Sequence, residues 1–417
     1  MMRKSLTTAT LLLAVVIASP GAAQADRTLP ANMNLWPNVD AFALDLYAKL
    51  RAREGNLFFS PYSISAALGM TRVGAADGTA REMDAVLRVA PGPANQAIDE
   101  AAQVRRVAAA YGSLQRYLTG GADQYYQLFI ANALWGRKGV AFKGPFLKTV
   151  KEEFGGGLSE VDFAGATEAA RKTINDWVAA QTKDKIRDLI GPGMITPATV
   201  LVLTNAIYFK AAWMHPFYKE LTGKGPFYVS ATQKVDAQMM KLTEHFRFAQ
   251  VDGVKLLELP YQGNDLSMLI LLPDKREGVA DLEKSLTAEK LSQWRAKLTA
   301  REQQVFVTLP RFKTTSEFLL NDPLIQLGMK RAFTEQADFT GMTDSKSLFI
   351  GLVLHKAFVD VNEAGTEAAA ATAVIMEGED KPGRPVEFLA DHPFIFLIKE
   401  NTTGCVLFMG RIVDPTK

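Results

Sequence analysis

A single cysteine, Cys405, among 417 residues leaves no partner for an intramolecular disulfide. Even in an oxidising compartment, stability must therefore come from packing. Long apolar runs are missing too: the N-terminal one, Leu11–Ala18, is far shorter than the roughly 20 residues a bilayer requires. Charge of one sign is also lacking. Arg3 and Lys4 account for the whole formal charge of +2, and Arg105-Arg106 is the densest basic pair in the first half of the chain. That balance offers no footing for nucleic acid or for a partner recruited by charge. Catalytic signatures are absent as well: no Gly-x-Ser-x-Gly elbow, no His-Glu-x-x-His, no Walker loop. Four histidines are available, His215, His245, His355 and His392, and no spacing joins them into a metal site or a serine–aspartate triad. A structural role suits each better than catalysis. His392 reads as a turn residue, and His355 stands apart because its strand leads into an unusual segment. The chain reads as a non-enzyme without metal or cofactor.

What is present is an ordinary globular composition, 48% hydrophobic and 22% charged, enough for a substantial core. Arg3 and Lys4, the apolar run and the small-x-small Ala23-Gln24-Ala25 read as a secretory signal peptide over residues 1–25, in preference to a membrane anchor. The mature protein is then secreted, extracellular or periplasmic, and free of the membrane. Helix signals dominate the first third. Phe42, Leu46 and Leu50 recur at four-residue spacing, Ser60-Pro61 opens a helix over Tyr62–Val73, Thr79 caps Ala80–Leu87, and Ala169–Gln181 is a further helix. Strand signals follow, among them Gln127–Trp135, Val200–Phe209, Leu266–Leu272, Gln303–Leu309, Leu352–Val361 and Cys405–Arg411. Helices first and strands later, without regular alternation or repeats, favour one mixed α+β domain.

The segment Asn362-Glu363-Ala364-Gly365-Thr366-Glu367-Ala368-Ala369-Ala370-Ala371-Thr372 fits neither class cleanly. Four alanines favour helix and Gly365 opposes it. Read at period two, Thr366, Ala368, Ala370, Thr372 and Val374 share one face, small first and apolar last, while Glu367 falls on the other face and points to solvent. Such a strand could slide between two others, since nothing bulky or charged enters first.

Six runs together resemble the serpin family: Asn56–Leu68 (NLFFSPYSISAAL), Thr204–Trp213 (TNAIYFKAAW), Leu309–Lys313 (LPRFK), Ala337–Met342 (ADFTGM), His355–Thr372 (HKAFVDVNEAGTEAAAAT) and Ala390–Phe396 (ADHPFIF). The likeness runs from Asn38 to Pro415 in the family's order, and it is to a secreted, inhibitory, bacterial-type member. It implies a serpin fold of three β-sheets and eight or nine helices, with an exposed reactive loop over about 365–385. It also implies that the loop baits a serine or cysteine endopeptidase, which is held as a covalent acyl-enzyme when the cleaved loop inserts into the large sheet. By the same resemblance, Ser60, Asn205 and His355 form the polar cluster beneath the point where that sheet parts, and Trp213 marks the top, where insertion begins. The hinge is Gly365 to Thr372, the molecule works as a monomer, and it needs no cofactor.

Counting along the loop as the family does puts the scissile bond between Glu379 and Asp380, so the target would have a basic primary pocket. Met376 would suit an elastase- or subtilisin-like enzyme, and Lys381 a trypsin-like one, although Pro382 follows it. A serpin-fold binding or chaperone-like protein, cleaved without trapping, is the alternative reading.

Overall fold

The computed structural model describes residues 36–89, 99–119, 125–298, 301–367 and 384–417. In chain order these form α1 (Trp36–Leu50), β1 (Leu57–Phe59), α2 (Pro61–Arg72), α3 (Asp77–Val86), α4 (Glu100–Thr119), β2 (Tyr126–Arg137), α5 (Gly144–Phe154), β3 (Gly157–Val161), α6 (Thr167–Gln181), β4 (Leu201–Ala212), β5 (Gly223–Tyr228), β6 (Lys234–Val251), β7 (Val254–Pro260) and β8 (Leu266–Pro273). There follow α7 (Val279–Ser285), α8 (Ala288–Arg295), β9 (Gln303–Pro310), β10 (Phe312–Leu319), α9 (Asn321–Leu327), β11 (Leu352–Asn362), β12 (Gly365–Thr366), β13 (Val386–Leu389), β14 (Phe394–Glu400) and β15 (Val406–Ile412).

Local chemistry accounts for several boundaries. The Ser60 hydroxyl accepts from the Ser63 amide at 3.1 Å and Pro61 takes the first helical position, so α2 starts where the Ser-Pro pair places it. Thr79 does not cap α3, which already begins at Asp77; its hydroxyl instead accepts from the Asp338 amide at 2.8 Å. A tertiary partner has taken the side chain that local pattern assigned to a cap. Helices α4, α5, α7, α8 and α9 lie outside the sequence expectations, although Val107, Tyr111, Leu114 and Leu118 recur at three- and four-residue spacing along α4 and all are buried.

Among the described residues there are nine α-helices and three sheets, as expected, but two of the sheets are continuous. The large sheet has six strands in the order β10-β11-β12-β4-β2-β3. A second runs β1-β15-β14-β8-β7-β6, and the third joins β5, β9 and β13 to the same β6. The sharing follows from length. Over its 18 residues β6 pairs first with β9, as far as Phe246, and then with β7 from Arg247.

At the centre of the large sheet β4 is buried on both faces, which is why it reads as an almost unbroken apolar run, whereas the edge strand β10 alternates buried and exposed. One face packs on the helical core and the second sheet. Over the other lie α6 and residues 182–195, whose Ile174, Val178, Ile186 and Leu189 meet Ala206, Leu354 and Phe358.

Candidate functional site

Strands β4 and β11 are parallel neighbours at the middle of the large sheet, in register from Val202 and Leu352 to Tyr208 and Phe358. Beyond that point they part. β11 ends at Asn362, turns through Glu363 and Ala364, and re-enters as β12, antiparallel to both neighbours, with Thr366 opposite Val361 on one side and Ala211 on the other. The seam is therefore already open at one end, with two residues wedged in it.

Glycine is required at 365. Its φ is 148°, and a Cβ there would stand 2.1 Å from the Ala211 carbonyl oxygen and 2.7 Å from the Ala212 Cα. Thr366 follows fully buried, its hydroxyl 2.7 Å from that of Tyr261. The Tyr261 ring stacks on Trp213 with centroids 4.5 Å apart and planes within 9°. Trp213 in turn holds the turn: its indole N–H donates to the Asn362 carbonyl at 3.0 Å and its amide to the Ala364 carbonyl at 3.0 Å. The Phe217 amide adds a 2.9 Å bond to the Glu363 carbonyl. Glu363 is itself nearly buried, and burial alone would raise its pKa. The Arg311 guanidinium, donating from Nε at 2.7 Å, outweighs burial and holds the carboxylate below its ordinary range.

Glu367 was expected in solvent and is not there. Its amide donates to the Asp360 carbonyl at 2.7 Å, its φ of 50° turns the chain out of the strand, and its carboxylate pairs with Lys185. The outer face at this height is covered by the segment after α6, so a side chain opposite the core still meets protein.

Lower in the seam, His355 of β11 sits directly opposite Asn205 of β4. The Ser60 amide donates to His355 Nε2 at 3.2 Å, so that nitrogen carries no proton, and Nδ1 donates to the side-chain oxygen Oδ1 of Asn205. Burial depresses the imidazole's pKa to about 3, leaving it neutral. The Ser60 hydroxyl donates to the Leu407 carbonyl at 2.6 Å. Two members were not anticipated. Asn205 donates to the Ser63 hydroxyl at 2.6 Å and to the Asn132 side-chain oxygen, and Asn132 returns a 3.2 Å bond to the Ser63 carbonyl. An asparagine inside the apolar run Gln127–Trp135 was the available signal. The five residues tie α2 to the three adjacent strands β2, β4 and β11.

Of the residues grouped from sequence, Ser60, Asn205 and His355 thus come together, whereas Trp213 lies eight residues further along the chain from Asn205, about 26 Å at strand rise. Gly365, Thr366 and Glu367 are at the open end of the seam. Ala368, Ala369, Ala370, Ala371, Thr372, Met376, Glu379, Asp380 and Lys381 lie outside the described residues. Of the remaining histidines, His215 meets the Phe246 ring edge-on, His392, between β13 and β14, bridges Asp391 and the Pro273 carbonyl at 2.7 Å each, and His245 is exposed on β6.

A family model described as serpin (serine protease inhibitor) matches residues 37–415. Human serpin B3 is 42% identical over 90% of this chain and 97% of its own length. A porcine protein named leukocyte elastase inhibitor is 41% identical over the same shares. Among solved structures, uncleaved ovalbumin superposes with a TM-score of 0.81 at 32% identity, covering 91% of this chain and all of that one.

Proposed function

The chain belongs to the serpin family, and we propose that within it this molecule is a suicide inhibitor of serine endopeptidases and, through the same acyl chemistry, of cysteine ones. The single observation that carries the reading is β12: two loop residues already lie between β4 and β11, antiparallel to each. A cleaved loop continuing from Thr366 extends that arrangement. Every residue that enters exchanges one parallel ladder for two antiparallel ones, each new hydrogen bond contributing on the order of 1 kcal/mol net. Ala368, Ala370 and Thr372 offer nothing bulky to the core face. About a dozen inserted residues at roughly 3.3 Å each would carry an acylated protease some 40 Å, a domain's width from its starting point.

The bait bond is assigned to Glu379–Asp380, with Met376 next. The relatives named elastase inhibitors put an elastase-like enzyme in the test panel beside a glutamyl-specific one. Export is part of the proposal: residues 1–25 have the leader pattern and precede the family match, which begins at residue 37. Incubation of the purified protein with the panel should give an SDS-stable band heavier than either partner, and the C-terminal fragment released from it should begin at Asp380. Clipping without such a band would leave a serpin-fold protein that is only a substrate. A fragment beginning at Glu377 would move the bait to Met376.

A further inference from the structure

An aromatic row crosses the outer face of the large sheet at the height where the seam opens. Phe129 of β2, Tyr208 of β4 and Phe358 of β11 stand side by side, with centroids 5.4 and 6.2 Å apart. The seam runs between Tyr208 and Phe358. Lys185 lies over both of those rings, its ammonium 5.8 Å from one centroid and 5.9 Å from the other, and the same ammonium pairs with Glu367, the residue at which the loop leaves the sheet. One side chain therefore touches both banks of the seam and the hinge.

The segment that presents Lys185 is held firmly. Ile186 is fully buried, its amide donates to the Thr182 hydroxyl at 3.2 Å, and the Lys185 amide donates to the Thr182 carbonyl at 3.0 Å. Lys183 and Asp184 before it are both left-handed, at φ 51° and 60°, a backbone that side chains other than glycine adopt only under constraint.

We infer that Lys185 is a positioning residue for the hinge: by pairing with Glu367 across the Tyr208–Phe358 seam it stops the wedge at Thr366 and sets the rate at which further residues enter. The inference rests on the inhibitory reading for its consequence but not for its geometry. Entry of further residues requires Glu367 to leave its left-handed turn for an extended conformation and requires the rings to separate. Both movements break the contacts Lys185 makes. The attraction to the rings is electrostatic and the pair is partly buried, so the ammonium charge, not the bulk of the side chain, is the active element.

Two measurements test this on the full-length mature protein. Hydrogen exchange at the amides of Gly365, Thr366 and Glu367 reads the hinge without any protease. Lys185→Met, which keeps the stem over the rings and removes the charge, should speed exchange there on the order of tenfold. The reversed pair, Lys185→Glu with Glu367→Lys, restores the ion pair but not the ring contacts and should recover part of the protection. Uptake of a synthetic peptide of residues 366–377 reads the consequence, and should be accelerated by Lys185→Met and slowed again by the reversed pair. Unchanged exchange in Lys185→Met overturns the inference. So does faster exchange that the reversed pair does not slow, since looser packing of the segment would then be the cause. Faster exchange with unchanged peptide uptake overturns the rate-setting role. If neither the native protein nor the variants take up peptide or trap a protease, the inhibitory reading is what fails, and exchange still decides the hinge contact.

Discussion

Thr366 has no solvent exposure and its hydroxyl meets that of Tyr261, whose own ionisation burial pushes up, so two neutral hydroxyls share a dry site. A charge introduced there would have to be buried against an aromatic stack, at a cost of several kcal/mol. Thr366→Arg should therefore fold with the hinge expelled and be cleaved as a substrate; undiminished covalent complex in a gel would remove the insertion argument. His355 sets a different dependence. Its pKa falls from 6.5 to about 3 on folding, so between those values the unfolded chain binds a proton that the folded chain refuses. Its contribution is complete above about pH 6.5 and is lost as pH drops toward 3, by up to roughly 5 kcal/mol. Denaturant midpoints measured from pH 7 to pH 4 should decline, and His355→Gln, which retains a donor and an acceptor, should flatten that decline. An equal slope in the variant would assign the acid sensitivity to other groups.

Among the elements, legibility followed the reach of the force that fixed each one. β12 was half legible. The small-faced alternation headed by Thr366 marked a segment able to enter the sheet, but the expected exposed loop begins two residues too early, because Gly365 and Thr366 are already buried between strands and the demand for glycine comes from the distant Ala211 carbonyl. α2 was readable because Ser60-Pro61 states its own start. The continuity of two sheets through β6 was not, since nothing within one strand says which neighbours its two halves will meet. The polar network was half legible. Ser60, Asn205 and His355 stand in distinctive motifs, whereas Asn132 gains its meaning only when β2 is laid beside β4 and directly opposite Asn205. Lys185 was invisible. It follows α6 in a stretch without periodicity, and its function comes from three partners at positions 208, 358 and 367. Glu367 was misplaced for the same reason, because strand alternation tells the core face from its opposite but not whether another segment covers that opposite face.

Taken whole, the molecule holds its six-stranded sheet in an arrangement with room for improvement. β4 and β11 are joined by a parallel ladder over seven residue pairs and separated by only two inserted residues at one end. On the proposed mechanism, cleavage frees the loop to continue from Thr366 between β4 and β11, strands that α2 ties together through the Ser60 and Ser63 contacts. Insertion of about a dozen residues adds a central antiparallel strand, with a gain on the order of 10 kcal/mol if each ladder bond contributes about 1 kcal/mol. For a chain of this length that corresponds to a rise in melting midpoint on the order of 10 °C. Clipping near Glu379 should accordingly raise the midpoint of thermal unfolding, and Thr366→Arg, clipped in the same way, should show little of the rise. The paired measurement separates its causes. A general relief of loop strain would stabilise both proteins, whereas strand insertion stabilises only the one whose first inserted side chain fits beside Tyr261. A midpoint unmoved by clipping in the native sequence would mean that the seam stays closed below Thr366, and that the wedge at β12 is an end state.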